Sequence, residues 1–263
     1  MGADPRERAG MSWIGTGDAY AASYASLCAG TGARMRELVG LAAGRSLLDV
    51  GCGDGTLAAA WSDAGFQITA CEPDRSMREA AKRQHPSLQV VDAGLPNLPF
   101  ADQSFDVVVA NFVLNHLDDP RDGARELYRV ASDAVIATIW SHSSPLWSEV
   151  TAEADLVATT SARLPAGKDF ERTASGFERM LRDAGWNPKV DELTWTWRVR
   201  PQALWASVDG GVAGAGAFYR TLTDADRLRF RAAFDRIVAA RMVADHVALE
   251  QTAAIAISLR APG

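Results

Sequence analysis

The chain predicts an α/β fold: a mostly parallel sheet with helices on both faces, and a helical cap that serves as a substrate lobe. Three observations carry this expectation. Strand-like apolar runs alternate with helical segments from residue 45 to 142, as in parallel sheets built from right-handed crossovers. The run Leu47-Leu48-Asp49-Val50-Gly51-Cys52-Gly53-Asp54-Gly55-Thr56 reads as a buried strand entering a glycine-rich turn that opens a helix. Two segments, Pro145 to about Asp169 and Pro201 to about Asp245, exceed what such a sheet needs, and both read as helical. They should lie above the carboxyl ends of the strands, where open α/β sheets bind ligands.

The elements follow in order. Thr16 to Leu41 is helical and precedes the core. The first strand ends at a turn whose glycines 51, 53 and 55 leave no β-carbon between backbone and ligand and tolerate left-handed angles. The helix from Leu57 to about Ala64 offers N–H groups suited to a carboxylate or phosphate. Gln67 to Cys71 is the second strand and runs into Glu72-Pro73-Asp74. An acid about 20 residues past the glycines is placed for ribose hydroxyls. A helix from Ser76 to Gln84 follows, then a third strand, Leu88 to Val91, ending at Asp92-Ala93. Phe105 to Ala110 is the fourth strand, and Asn111 to Leu117 its ligand-side loop. Arg121 to Ala131 is a helix, and the unbroken apolar run Ala134 to Trp140 suits a buried fifth strand. Phe177, Met180 and Leu181 share one face of a helix from Ser175 to Ala184, stopped by Gly185. Leu193 to Val199 and Ala253 to Leu259 read as two further strands.

A dinucleotide fingerprint needs glycine or alanine at its sixth position. Counting from Gly51, that position is Thr56, which argues against a nicotinamide-dependent oxidoreductase. G-x-G-x-G preceded by Asp49 instead resembles the first motif of class I S-adenosylmethionine-dependent methyltransferases. Glu72, Asp92 and the stretch Phe105 to Leu117 extend the resemblance, in order, over roughly residues 45 to 140. The resemblance implies a Rossmann-like, mostly parallel seven-stranded sheet whose last two strands form an antiparallel edge pair. It implies residues 1–44 covering the cofactor, a core at 45–142, and residues 143–263 completing the sheet around the substrate lobe.

The implied cofactor is S-adenosylmethionine, with S-adenosylhomocysteine as product. The residues implied to hold it are Tyr20, Tyr24, Asp49, Gly51, Cys52, Gly53, Gly55, Glu72, Pro73, Met77, Asp92, Ala93, Asn111 and Phe112. Glu72 would hold the ribose; Asp92 would meet the adenine amino group, and the amide of Ala93 a ring nitrogen. Asp49 either braces the turn or meets the cofactor's amino group. Tyr20 and Tyr24 either touch the cofactor or pack a helix against the sheet. Cys52 fits a small residue with a backbone contact, since no neighbour in sequence lowers its thiol pKa.

Composition narrows the acceptor. A formal net charge of −6 without a long basic run argues against nucleic acid or an anionic membrane as partner. Three scattered cysteines without C-x-x-C spacing fit reduced thiols in the cytoplasm. Met1 to Gly10 is polar and charged, unlike a signal or an anchor, and no metal site is expected. The loop Ala110-Asn111-Phe112-Val113 lacks the Asn/Asp-Pro-Pro-aromatic pattern that methyltransferases of base amino groups and glutamine amides resemble, so a small molecule is the expected acceptor. In-line transfer rests on positioning in a dry site, and a histidine can take the acceptor's proton. His116 after the fourth strand is the first candidate and His142 after the fifth is the second. His85, before the third strand, should lie away from the active face. Trp140, Trp147, Trp195, Trp197 and Trp205 either pack a core or line a substrate pocket. A non-catalytic protein that only binds the cofactor is the alternative reading.

Overall fold

The computed structural model describes residues 13–157, 164–165 and 167–260. Strands β1 (Ser46–Val50), β2 (Gln67–Cys71), β3 (Val90–Val91), β4 (Phe105–Asn111) and β5 (Ala131–His142) are parallel. Strands β6 (Lys189–Val199) and β8 (His246–Leu259) complete the sheet antiparallel, giving the order β3-β2-β1-β4-β5-β8-β6. A two-residue β7 (Met242–Val243) hairpins onto β8. The expected seven strands are therefore present, with β7 as an unforeseen eighth.

Strand length is where the expectation falls short. β6 starts four residues before Leu193, and β8 seven before Ala253. Both extensions carry polar or exposed residues at alternate positions, such as Glu192 and Glu250, so they read as polar segments although their backbones are paired along their length. β3 is shorter than expected, because Leu88 and Gln89 precede the ladder.

Alternation along the strands builds two cores. Leu48, Val50 and Val108 face Leu127 of α6 (Pro120–Val130) and Phe177 and Met180 of α8 (Ala174–Asp183). Leu47, Val107 and Val109 face Met35 and Trp61, which lie on α3 (Gly32–Val39) and α4 (Thr56–Asp63). α5 (Arg75–Gln84) follows β2, capped by Asp74, which accepts the Met77 N–H at 3.0 Å. The sequence reads Thr16 to Leu41 as one helical stretch. It is divided into α1 (Gly17–Ala21), α2 (Tyr24–Cys28) and α3, with a 3-10 turn at Ala29–Thr31.

The lobe is a third core. α7 (Leu146–Glu153), α9 (Pro201–Asp209), α10 (Ala213–Thr221) and α11 (Asp224–Arg241) enclose Leu146, Val150, Leu204, Phe230 and Phe234 against Trp197 and Leu249 of the sheet. The helical expectation for Pro145 to Asp169 is met at α7, and residues 158–163 and 166 lie outside the described residues. Among the described residues no helix is long and apolar enough to cross a membrane.

Candidate active site

The glycine turn is held from both sides. Gly51 and Cys52 donate their N–H groups to the Cys71 carbonyl at 2.8 and 3.1 Å. Gly51, Gly53 and Gly55 take φ of +70°, +58° and +81°, angles that side chains with a β-carbon rarely adopt. Space is also short. A β-carbon on Gly51 would stand 2.7 Å from Val113 Cγ2, and one on Gly53 would stand 3.1 Å from Tyr20 Cε1. The loop after β4 and the α1 segment therefore roof the turn.

Glu72 closes the turn from β2. Its Oε2 accepts the Gly53 N–H at 3.1 Å and its Oε1 the Asp74 N–H at 2.9 Å. Asp54 accepts the Thr56 hydroxyl at 2.9 Å and its N–H at 3.3 Å, so part of the α4 N-terminus is already taken by a carboxylate of the chain. Asp49, Asp54 and Glu72 are all buried. Burial, with the Glu72 and Asp54 charges beside it, pushes Asp49 up to about 7. Burial pushes Glu72 up to about 7 as well, against the two N–H groups that favour its charged form. Asp49 Oδ2 is buried without a hydrogen-bond partner among the described residues.

The loop after β4 carries a second unusual backbone. Phe112, a bulky residue, has φ +58°. Its ring lies stacked on Trp140, with centroids 3.8 Å apart and planes within 5°. His116 sits on a 3-10 turn, Leu114–His116, with its ring edge-on to Trp13 at 5.2 Å. Its Nε2 lies 3.2 Å from Asn115 Nδ2, and its Nδ1 is buried without a partner among the described residues. Burial, helped by the charge of Arg172, pulls the imidazole down to about 4.

A strand, a left-handed glycine turn, an acid at the end of β2 and a loop folded back over that turn now stand together. The family model described as a methyltransferase domain matches residues 48–137. Over that stretch the chain is similar to a methyltransferase domain. Over 113 residues it is 34% identical to a demethylmenaquinone methyltransferase of Paenarthrobacter aurescens, an alignment covering 42% of this chain and 45% of that one. Over 107 residues it is 31% identical to a malonyl-(acyl-carrier protein) O-methyltransferase of Pectobacterium atrosepticum, covering 41% and 42%. The chain thus spans less than half the length of these curated relatives. In fold it is similar to the YcgJ protein of Bacillus subtilis, with TM-score 0.55 at 16% identity, covering 89% of this chain and 99% of that one.

S-adenosylmethionine is the methyl donor of this domain class. The residues fit it. Three buried acids with one orphaned carboxylate oxygen suit a ligand that brings positive charge, and S-adenosylmethionine carries an ammonium and a sulfonium. The three positions without a β-carbon let Val113, Tyr20 and Leu88 pack close against the turn.

Around the glycine turn the other candidates fall unevenly. Tyr20 lies over Gly53 and packs edge-on against Trp13 at 6.0 Å. Tyr24 belongs to the lobe, where its hydroxyl accepts from Trp147 Nε1 at 3.3 Å and its ring meets Trp197 at 5.9 Å. Pro73 packs on Gly94, and Met77 is buried under α5. Asp92 takes both Arg78 nitrogens, at 3.0 and 2.8 Å, and its side chain is 58% exposed. The Ala93 N–H donates to the Val91 carbonyl at 3.0 Å. Cys52 is buried and its thiol is pushed well up by that burial, which removes it as a nucleophile.

Of the remaining histidines, His85 stands elsewhere than expected, and His142 ends β5 at the carboxyl end of the parallel strands as expected. His85 packs against the turn, with Cδ2 3.3 Å from where a Gly55 β-carbon would be, because the end of α5 returns beneath the α4 N-terminus. His142 is exposed in a shallow depression of about 310 Å³ with Arg241, Glu250 and Thr252. It pairs with Thr252 of β8, and none of the residues of the glycine turn lines that depression.

The five candidate tryptophans fall into separate aromatic groups, with Trp197 against Tyr24. Trp140 links Phe112 to Trp195 at 5.6 Å, while Trp147 and Trp205 pack on Phe234 at 5.7 and 5.1 Å. Sequence reasoning missed Thr31 and Thr138, which bond Asn111, and Arg172, whose charge acts on His116. A single hydroxyl within the apolar run Val135 to Trp140 is the signal that marks Thr138.

Proposed function

We propose that this protein is an S-adenosylmethionine-dependent methyltransferase acting on a small-molecule acceptor. The observation that carries the reading is the orphaned Asp49 carboxylate at the glycine turn, within a cluster of buried acids and beneath the loop that follows β4. When bound, S-adenosylmethionine supplies an electrophilic methyl on a sulfonium. In this reading Asp49 meets the cofactor's ammonium and Glu72 its ribose hydroxyls, while Gly51, Gly53 and Gly55 let the backbone approach.

The remaining roles belong to the loop and the cover. Tyr20 and Trp13 exclude water from the turn, which strengthens every electrostatic contact inside. Phe112 and Trp140 offer a flat apolar wall beside the β4 loop. His116 is neutral above about pH 4, so its free nitrogen can hold or receive the acceptor's proton without a prior deprotonation. Relatives over the matched region are named for demethylmenaquinone and for malonyl-(acyl-carrier protein). Those names, with the net charge of −6, support an acceptor other than nucleic acid. Three free cysteines support a reducing compartment such as the cytoplasm.

Calorimetry with S-adenosylhomocysteine and, separately, NAD tests the cofactor. Binding of the first and not the second is expected, and the reverse would sink the reading. Radiolabelled methyl transfer against a panel of small hydroxyl, amine and carbon acceptors tests turnover. Tight S-adenosylhomocysteine binding with no transfer to any of them would favour a protein that only binds the cofactor.

A further inference from the structure

The Asn111 side chain hydrogen-bonds the loop after β4 to the N-terminal cover. Its Nδ2 donates to the Cys28 carbonyl at 3.0 Å. Because a carbonyl only accepts, this contact fixes the orientation of the amide. Asn111 Oδ1 then faces two hydroxyls, Thr31 at 2.8 Å and Thr138 at 2.7 Å, and the single Thr31 proton is shared between this oxygen and the Cys28 carbonyl at 3.0 Å. The Thr138 hydroxyl has one proton and gives it to Asn111. Its lone pair accepts the N–H of Phe112 at 2.9 Å. Thr31 and Thr138 are both fully buried and Phe112 is 5% exposed, so water does not readily replace any of these bonds.

The chain of bonds ends on the strained residue. Phe112 holds φ +58°, an angle a bulky residue keeps only when its surroundings over-determine it. Two contacts do so: the Thr138 hydroxyl on its N–H and the Trp140 ring on its face. At the other end, Cys28 and Thr31 belong to the segment that places Tyr20 over Gly53. The Asn111 amide thus hydrogen-bonds the loop to the cover, in addition to the Trp13–His116 ring contact.

We propose that Thr138 is a positioning residue that holds the Phe112 backbone in its left-handed conformation, and that Thr31, through Asn111, makes this conformation depend on a seated N-terminal cover. The inference rests on the methyltransferase reading for its consequence: the loop is shaped for transfer only when the cofactor is covered. Its geometry stands apart from that reading. A hydrogen-bonded hydroxyl chain of this kind strengthens cooperatively, which gives the cover a route to a backbone amide it does not touch.

Amide hydrogen exchange on the whole protein tests the coupling. Thr138→Val should raise the exchange rate of the Phe112 amide at least tenfold, and Thr138→Ser should restore protection. Thr31→Val should also raise exchange at Phe112, while the Val108 and Val109 amides of β4 stay protected. Unchanged Phe112 exchange in Thr31→Val would overturn the coupling, and loss of protection in Thr138→Ser equal to that in Thr138→Val would overturn the hydroxyl's role. Should Thr138→Val fail to fold, the Thr31→Val and Thr138→Ser results decide the matter. In turnover, Thr31→Val should lower kcat more than it raises the acceptor KM. Calorimetry of the parent with S-adenosylhomocysteine separates the two claims, since absent binding removes the methyltransferase reading and leaves the exchange result standing.

Discussion

The Gly53 N–H donates to Glu72 Oε2 at 3.1 Å. This one bond joins the end of β2 to the middle of the turn between β1 and α4, so Glu72 shapes the turn. Charge-assisted bonds of this kind are worth roughly 1.5–3 kcal/mol each. Glu72→Ala should weaken S-adenosylhomocysteine binding by about one to two decades. Glu72→Gln should fall between, because its amide can accept from one of the two N–H groups and not from both. A loss smaller than about twofold by calorimetry would mean that Glu72 serves the turn alone.

Gly53→Val should abolish cofactor binding and leave the fold. Its branched β-carbon would stand 3.1 Å from the Tyr20 ring at φ +58°, and such a backbone costs a non-glycine residue about 1–3 kcal/mol. The cost falls on one buried turn beneath Tyr20, so circular dichroism should keep the parent's helix and strand content while the melting temperature falls by several degrees. Affinity equal to the parent's would exclude this turn as the cofactor site.

Asp49 and Glu72 set a pH dependence whose sign is fixed. Both titrate at about 7 when folded and near their ordinary carboxylate values when unfolded. Across that window the native state binds more protons, so their contribution to stability is greatest below about pH 4 and is lost as pH rises through 7. Thermal unfolding of the ligand-free protein should show this falling component from pH 5 to 8, and Asp49→Asn should flatten it. A cationic ligand favours the ionised acids. Binding of S-adenosylmethionine near pH 6 should therefore release protons, seen as a binding enthalpy that varies with buffer ionisation enthalpy.

His116 tests mechanism. With its pKa pulled down to about 4, the neutral imidazole is populated throughout the physiological range. Turnover should rise with pH only through about 4 from this group, and no limb near 6.5 should be traceable to it. His116→Asn should lower kcat by ~10²-fold or more with cofactor affinity nearly unchanged. A neutral-pH limb that vanishes in this variant would show that the acceptor complex raises the imidazole's pKa. Loss of cofactor affinity instead would make His116 a brace for the loop.

The glycine turn, the parallel strands and the place of Glu72 were legible in the sequence because local chemistry dictates them. A left-handed turn needs glycine, a buried strand needs an apolar run, and the acid follows β2 directly. The reach of β6 and β8 was hidden, since one face of each is polar and the pairing partners are distant in sequence. The histidine neighbourhoods were hidden too. Whether His116 is a free base or a buried neutral ring depends on Trp13 and Arg172, contributed by segments on either side of it in the chain. Tyr20 and Tyr24, one helical turn apart in number, part because the break between α1 and α2 turns one toward Gly53 and the other toward Trp147. The bond from Thr138 to Phe112 spans 26 residues and that from Asn111 to Cys28 spans 83. The sequence determines what each segment can form on its own. Burial, charge and strain at the site come from which segments the tertiary structure brings against one another.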